Sequence, residues 1–157
     1  MEDVKKIASF TVDHDCIEEG IYISRIDGDV TTYDLRTRRP NMGDYMDNLT
    51  MHSVEHMIAT FIRSSEIAQN VLYFGPMGCQ TGFYLLVRGE DHERVRRVLL
   101  EVLERTVSFE GEMFGASRKE CGNYKNLSLA AAKAECARYR AALLSQKKPF
   151  VYGGNAT

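Results

Sequence analysis

The sequence predicts an α+β fold, in which helices pack on an antiparallel β-sheet in a single compact domain. The 157 residues suit one domain, and 44% hydrophobic with 27% charged residues is typical of a globular protein. Segments with strand character cluster early, and the helical segments follow without a regular β–α–β alternation. No internal repeat, linker or low-complexity block divides the chain, so we expect one domain over residues 1–157.

The N-terminal part of the chain is predicted to be rich in strands. Residues 9–14 alternate apolar and polar side chains, which is typical of a half-buried strand. Residues 21–26 and 30–35 flank Asp27-Gly28-Asp29, a turn-forming sequence, and therefore predict a β-hairpin. Residues 40–47 are rich in Pro, Gly, Asp and Asn, and we expect them to form a loop.

The remaining elements are three helices and two or three short strands. Asp91 and Ser128 stand where they can cap the second and third helices. A Gly- and Pro-rich segment separates two β-rich runs, and a weaker run follows the second helix. The predicted helices cover about 48–64, 92–107 and 129–145, the strands cover 71–74 and 81–88 with a possible one near 107–109, and residues 153–157 form a loose tail.

Charge and cysteine content exclude several classes of protein. Twenty Lys and Arg against 22 Asp and Glu give a net charge of -2, which predicts no nucleic-acid partner and no anionic membrane partner. The N-terminus lacks the features of a signal peptide, and no apolar run approaches the ~20 residues that span a bilayer. We therefore expect a cytoplasmic protein with reduced thiols. The four cysteines are widely spaced, with no CxxC pair, which makes a disulfide scaffold a poor interpretation.

An HxxEH motif is the first candidate site. On a helix, His52 and His56 are one turn apart and can reach a single metal ion, while Glu55 borders the same face and could handle protons. This spacing also occurs in zinc metallopeptidases. The two histidines lie opposite the apolar stripe of the helix, so they are not core residues, and either a metal site or a solvated histidine pair explains them. That stripe consists of Val54, Met57, Ile58, Phe61 and Ile62.

Two cysteines could complete a site around these histidines. A catalytic metal commonly has three protein ligands, and Cys121, followed by a glycine, is the best candidate for the third. Cys79 lies in a Gly- and Pro-rich loop, where a nearby cation would favour its thiolate as an acid/base or nucleophile. For each thiol, simple packing in a loop remains an alternative. We expect Cys16 and Cys136 to be packing residues and His92 to be exposed.

Taken together, these segments resemble the S-ribosylhomocysteine lyase (LuxS) family, which makes the precursor of autoinducer-2. The matches occur in family order and span nearly the whole chain. The late Cys121-Gly122 pair also matches. The other matching segments are S-F-x-x-D-H at residues 9–14, D-[LI]-R-x-x-x-P-N at 34–41, H-x-x-E-H at 52–56 and P-M-G-C-x-T-G at 76–82.

The resemblance implies a role for each matching residue. It implies one divalent metal ion per subunit, natively Fe(II) and replaceable by zinc or cobalt. It further implies a homodimer with active sites at the interface, so that the substrate-contacting residues act at the partner's metal. The implied ligands are His52, His56 and Cys121, the acid/base groups are Cys79 and Glu55, and the substrate contacts are Ser9, His14 and Arg36.

The implied reaction cleaves the thioether of S-ribosylhomocysteine to homocysteine and 4,5-dihydroxy-2,3-pentanedione. The carbonyl would migrate from C1 to C3 of the opened ribose, after which homocysteine leaves by β-elimination. Thr37, Tyr73 and Gly75 depart from the usual family residues, and the Tyr73 departure puts one ribose contact in doubt. Two other interpretations are a zinc peptidase of the HxxEH type and a non-catalytic metal-binding module. The position of Cys79 relative to an open metal site discriminates between them.

Overall fold

The computed structural model describes residues 2–153 and confirms the α+β class. Four strands form one sheet in the order β1-β2-β4-β3, and every neighbouring pair is antiparallel. Because residue 1 and residues 154–157 lie outside the described part, the domain bounds 1–157 and most of the predicted loose tail stay predictions. The elements are β1 Gly20–Asp27, β2 Val30–Arg36, α1 Asn48–Ile62, β3 Val71–Pro76, β4 Gly82–Arg88, α2 His92–Ser108 and α3 Leu129–Ser145.

Local sequence signals account for most element boundaries. Asp27 pairs with Val30 at the end of the first hairpin, and Gly28 takes the left-handed conformation (φ 61°) that its turn needs. The side chains of Asp91 and Ser128 cap α2 and α3 as predicted, by accepting hydrogen bonds from the first helical turn. Strand β3 continues to Pro76, past the point where we expected Gly75 to end it.

The core lies between one face of the sheet and the three helices. All residues of the predicted apolar stripe of α1 are buried there. The opposite side of α1 is therefore available for functional side chains. Fully buried side chains from the sheet and from all three helices fill this layer. They include Ile21, Tyr33, Leu35, Leu85, Met57, Ile58, Ile62, Val98, Leu99 and Leu143.

Two predicted strands are wrong. Residues 9–14 form no strand; the chain makes short 3-10 helices at Ala8–Phe10 and His14–Cys16. Local bonds favour these turns, because the Thr11 hydroxyl donates to the Ala8 carbonyl and the Asp13 carboxylate accepts from the Asp15 amide. The possible strand at 107–109 is instead the end of α2, where the buried hydroxyl of Thr106 donates back to the Val102 carbonyl.

The burial of three further side chains can be compared with what the sequence predicted for them. His92 is half-buried, because the Tyr33 hydroxyl bonds its Nδ1 atom (2.5 Å) and Phe150 packs against its ring, so the prediction that it is exposed is wrong. Cys16 is exposed, which contradicts a packing role. Cys136 is buried as expected, and that burial raises the pKa of its thiol to about 12.

The segment after α3 returns to the edge of the sheet at β1. The Phe150 amide donates to the Ile21 carbonyl (2.8 Å), and the Ile23 amide donates to the Phe150 carbonyl (3.0 Å). This short parallel bridge carries Tyr152 onto the sheet face that the helices leave uncovered. Within residues 2–153, no helix combines the length and the apolar character needed to cross a membrane.

Candidate functional site

The three predicted ligands converge on one point, which we call the metal cluster (His52, His56 and Cys121). Their candidate ligand atoms all lie within 4.8 Å of one another, and Cys121 Sγ is 3.3 Å from His52 Nε2. Helix α1 supplies both histidines one turn apart, and their rings meet edge to face at 4.6 Å between centroids. Cys121 comes from the loop between α2 and α3, which crosses the outer side of α1.

Backbone carbonyls fix the orientation of both imidazole rings. His52 Nδ1 bonds the carbonyl of Asn126 (2.8 Å), and His56 Nδ1 bonds the carbonyl of Phe114 (2.9 Å). A carbonyl can only accept, so each Nδ1 carries the proton and each Nε2 is left with a free lone pair. This is the arrangement in which histidine ligates a metal, with its second nitrogen held by a hydrogen bond.

The geometry of the metal cluster fits a tetrahedral metal site with one open position. A thiolate and an imidazole bound at usual zinc distances are about 3.5 Å apart, close to the observed separation of Cys121 Sγ and His52 Nε2 (3.3 Å). Among the described residues, no fourth His, Cys, Asp or Glu joins the three. Closed structural sites have four protein ligands, so this donor set is of the open kind found in enzymes.

Glu55 lies next to the metal cluster on the same helix. Its side chain is half-buried, and it makes no hydrogen bond or ion pair with any other residue between 2 and 153. It precedes His56 by one residue, which places it about 100° around α1 from that ligand. A carboxylate in this position is free to accept or return a proton beside the metal cluster.

Gly115 supports one of the two histidines, and its replacement by alanine should weaken metal binding. Gly115 has φ 66°, and a Cβ added there would lie 2.7 Å from His56 Nδ1. It would disturb the hydrogen bond between His56 Nδ1 and the Phe114 carbonyl. Because losing a hydrogen-bond partner of a ligand costs about 10–100-fold in metal affinity, we expect Gly115→Ala to bind Zn²⁺ at least ~10-fold more weakly. Competition with a chromophoric chelator measures this affinity.

Gly89→Ala is the matched control for this experiment. Gly89 has φ 64°, but nothing lies within 4 Å of the Cβ that alanine would add. Both variants therefore carry the same backbone strain of roughly 1–2 kcal/mol, and only Gly115→Ala crowds His56. Equal Zn²⁺ affinities for the two variants would contradict a supporting role for Gly115.

A second group of functional side chains, which we call the thiol cluster (Arg36, Cys79 and Thr81), forms where β2 ends and β4 begins. Cys79 lies in the β3–β4 connection, where Gln80 has φ 66° and its amide donates to the Met77 carbonyl. The exposed Cys79 Sγ is 3.0 Å from Thr81 Oγ1 and 3.9 Å from Arg36 Nη1. The Arg36 guanidinium thus lies beside the exposed Cys79 thiol, and a positively charged, exposed setting is typical of reactive cysteines.

A buried ion pair holds Arg36 in the thiol cluster. Asp34 accepts two hydrogen bonds from the Arg36 guanidinium, at 3.1 and 2.6 Å, and both side chains are at most 3% exposed. The other edge of the guanidinium donates to Thr81 Oγ1 (2.8 Å). Arg36 is thus fully engaged within its own chain, and any substrate contact would come through the edge that faces Cys79.

The other predicted substrate residues lie in the N-terminal segment. Ser9 lies near the side chain of Tyr84, which stands directly opposite Asp34 on the neighbouring strand, and burial raises the pKa of that tyrosine. His14 is half-buried, and its Nδ1 bonds the Val12 carbonyl (2.9 Å). Ser9 therefore borders the sheet face on which the thiol cluster lies.

Among residues 2–153, no hydrogen bond or ion pair links the metal cluster to the thiol cluster. Within the described residues, Cys79 has contacts with Arg36 and Thr81, and it does not belong to the group of ligand atoms around Cys121. Sequence reasoning missed Asp34, Thr81 and the two carbonyl acceptors. Asp34 and Thr81 lie inside the matching segments and could have been noticed there, whereas a backbone acceptor leaves no mark on the sequence.

The fold and the metal cluster define an α+β domain with a candidate metal centre of the open, enzymatic kind. A model of the S-ribosylhomocysteinase (LuxS) family matches residues 7–149. The chain therefore belongs to the S-ribosylhomocysteinase (LuxS) family, which is a family of carbon–sulfur lyases.

Curated relatives agree with this assignment. The S-ribosylhomocysteine lyase of Clostridium beijerinckii is 44% identical over 136 residues, which cover 83% of this chain and 86% of that protein. The S-ribosylhomocysteine lyase of Borreliella burgdorferi is 42% identical over 142 residues, covering 87% and 90% respectively. That of Finegoldia magna is 40% identical over 150 residues, covering 92% and 96%.

Proposed function

We propose that this protein is a metal-dependent lyase that cleaves the thioether of S-ribosylhomocysteine to homocysteine and 4,5-dihydroxy-2,3-pentanedione. The observation that carries the proposal is the open cluster of His52, His56 and Cys121 in a chain that belongs to this family. A metal-binding module without activity would need a fourth ligand, and none joins this cluster within residues 2–153. The family assignment also disfavours the peptidase interpretation.

His52, His56 and Cys121 would hold the metal through Nε2, Nε2 and Sγ. When bound, a divalent metal supplies Lewis acidity to a substrate carbonyl oxygen. We propose Fe(II) as the native metal, with zinc or cobalt as substitutes, from the family resemblance. The mixed imidazole and thiolate donor set is compatible with each of these metals.

Cys79 and Glu55 would carry out the proton transfers. Each carbonyl shift removes a proton from the carbon next to the carbonyl and returns one to the former carbonyl carbon, so no electrons leave the substrate. With the carbonyl at C3, removal of the C4 proton expels homocysteine from C5 as the C5–S bond breaks. Two groups on opposite faces of the sugar chain suit these steps. The Cys79 thiol lies beside Arg36, and Glu55 has no hydrogen-bond or ion-pair partner within residues 2–153.

We further propose that the working enzyme is a homodimer whose active sites lie at the interface. The guanidinium of Arg36 is 3.9 Å from Cys79 Sγ, so the two groups serve the same site. If Arg36 acts at the partner's metal, as the family resemblance implies, then Cys79 acts there as well. Leu72 and Tyr73 are 41% and 51% exposed on β3, and they give a second copy apolar surface to cover.

The family resemblance also supports a cellular role. The product is the precursor of autoinducer-2, so we propose a part in quorum sensing together with recycling of homocysteine in the methyl cycle. Ser9 and His14 would contact the substrate with Arg36. The proposed site needs reduced thiols at Cys79 and Cys121, and both are free, which suits the reducing cytoplasm.

One experiment tests the proposed reaction. Anaerobically purified protein loaded with Fe(II) is mixed with S-ribosylhomocysteine, and free thiol is assayed over time. We expect a new thiol to accumulate as homocysteine, with an equal amount of the dihydroxy-pentanedione detected by mass spectrometry. S-adenosylhomocysteine, which carries the same thioether but has a closed ribose without a free carbonyl, is the control and should release nothing. Absence of homocysteine with the first substrate would refute the proposal.

A further inference from the structure

We propose that Tyr152 is a positioning residue for the Cys79 thiol, and that it acts through Asp34 and Arg36. Its hydroxyl donates to Asp34 Oδ2 at 2.6 Å. The family model matches residues 7–149, and Tyr152 lies beyond that range, so the family assignment gives this tyrosine no role. The consequence for catalysis rests on the proposed function, whereas the effect on the thiol does not.

The tail holds Tyr152 in a fixed place on the sheet. Its ring stacks on Tyr22 with 4.9 Å between centroids and 9° between planes. Two residues earlier, Phe150 is joined to β1 by backbone bonds to Ile21 and Ile23. Burial and the neighbouring Asp34 raise the pKa of Tyr152, so the phenol stays protonated and donates.

Asp34 depends on this third donor. The carboxylate is only 2% exposed, and it accepts two hydrogen bonds from Arg36 and one from Tyr152. A buried carboxylate needs hydrogen-bond donors for its lone pairs, and its orientation follows from where those donors lie. Because the pairing with Arg36 is bidentate, fixing the carboxylate also fixes the plane of the guanidinium.

The opposite edge of that guanidinium faces the thiol. Arg36 Nη1 is 2.8 Å from Thr81 Oγ1 and 3.9 Å from Cys79 Sγ. The hydrogen bond from Tyr152 also withdraws negative charge from Asp34, which leaves more of the guanidinium charge for the thiol. Both effects keep the positive charge of Arg36 directed at the Cys79 thiol, and the reactivity of a cysteine depends on the charges around it.

The test compares two tyrosine-to-phenylalanine variants of the metal-loaded protein. Tyr152→Phe removes the hydroxyl on Asp34 but keeps the stacked ring. Tyr22→Phe alters the other ring of the same stack, whose hydroxyl donates to the Glu18 carbonyl at 2.8 Å. The readout is the alkylation rate of Cys79 by iodoacetamide at neutral pH, followed by mass spectrometry on the tryptic peptide of residues 64–88, which contains no other cysteine.

We expect Tyr152→Phe to slow alkylation of Cys79 about fivefold, as the loss of one hydrogen bond would, and Tyr22→Phe to leave the rate unchanged. Labelling of the buried Cys136 should stay at the wild-type level in both variants. Equal Cys79 rates in wild type and Tyr152→Phe would overturn the proposal. So would a rise in Cys136 labelling in Tyr152→Phe, because the tail would then act only by stabilising the fold.

Turnover separates this proposal from the proposed function. With S-ribosylhomocysteine as substrate, Tyr152→Phe should lower kcat, since the Cys79 thiol is expected to move protons in the proposed reaction. If the wild-type protein releases no homocysteine, the proposed function fails while the alkylation rates still decide the role of Tyr152. If turnover is normal in wild type and the alkylation rates do not differ, only the role of Tyr152 is overturned.

Discussion

Replacing Cys79 with alanine is expected to leave the metal in place and to remove almost all lyase activity. Cys79 Sγ is outside the metal cluster, and its neighbours are Arg36 and Thr81, so its loss does not change the ligand set. General acid–base groups contribute about 10²- to 10⁴-fold to rates, and the turnover number of Cys79→Ala should fall by an amount in that range. Metal content by mass spectrometry and homocysteine release measure the two effects on the same sample.

Cys16→Ala is the control for this variant. Cys16 is an exposed cysteine in the N-terminal segment, and its thiol hydrogen-bonds the carboxylate of Asp13. Its replacement should change neither metal content nor turnover. Normal turnover in Cys79→Ala would rule out Cys79 as an acid/base group, and loss of metal from this variant would show that the thiol is a ligand.

The parts of the site that lie within one helix could be predicted from the sequence. The helical period alone places His52 and His56 on one face, opposite the stripe of Val54 and Ile58, and the structure has this arrangement. The hairpin at Gly28 and both capped helices could be predicted from the sequence as well, because a few adjacent residues determine a turn or a helix cap.

Interactions between distant segments could not be predicted from the sequence in this way. The tyrosine at position 152 meets Asp34 only because the chain returns to the edge of β1 after α3. Likewise, the strand predicted for residues 9–14 did not form although the alternation was present, since a strand also needs a partner and the local bonds at Thr11 and Asp13 favour turns. No local sequence pattern around Cys16 indicated that its side chain would be exposed.

Replacing Cys121 with alanine is expected to empty the metal cluster. It removes one of three ligands, and even the loss of a hydrogen-bond partner of a ligand costs about 10–100-fold, so the affinity for Zn²⁺ should fall by more than about 10²-fold. The fold should survive, because Cys121 lies in a loop and the core layer between the helices and the sheet does not include it. Metal analysis after dialysis measures the loss, and retention of a full equivalent of metal would exclude Cys121 as a ligand.

Mixing the two inactive variants tests whether one site draws on two chains. In a mixed dimer, the Cys79→Ala chain still has its metal cluster and the Cys121→Ala chain still has its thiol cluster. If the partner's thiol serves each metal, every mixed dimer regains one of its two sites, and random exchange of subunits gives about a quarter of the wild-type rate. If each chain uses its own thiol, no pairing contains a complete site and the mixture stays inactive. We expect recovery, because Cys79 lies beside Arg36 and, among the described residues of its own chain, has no hydrogen bond to a ligand of the metal cluster.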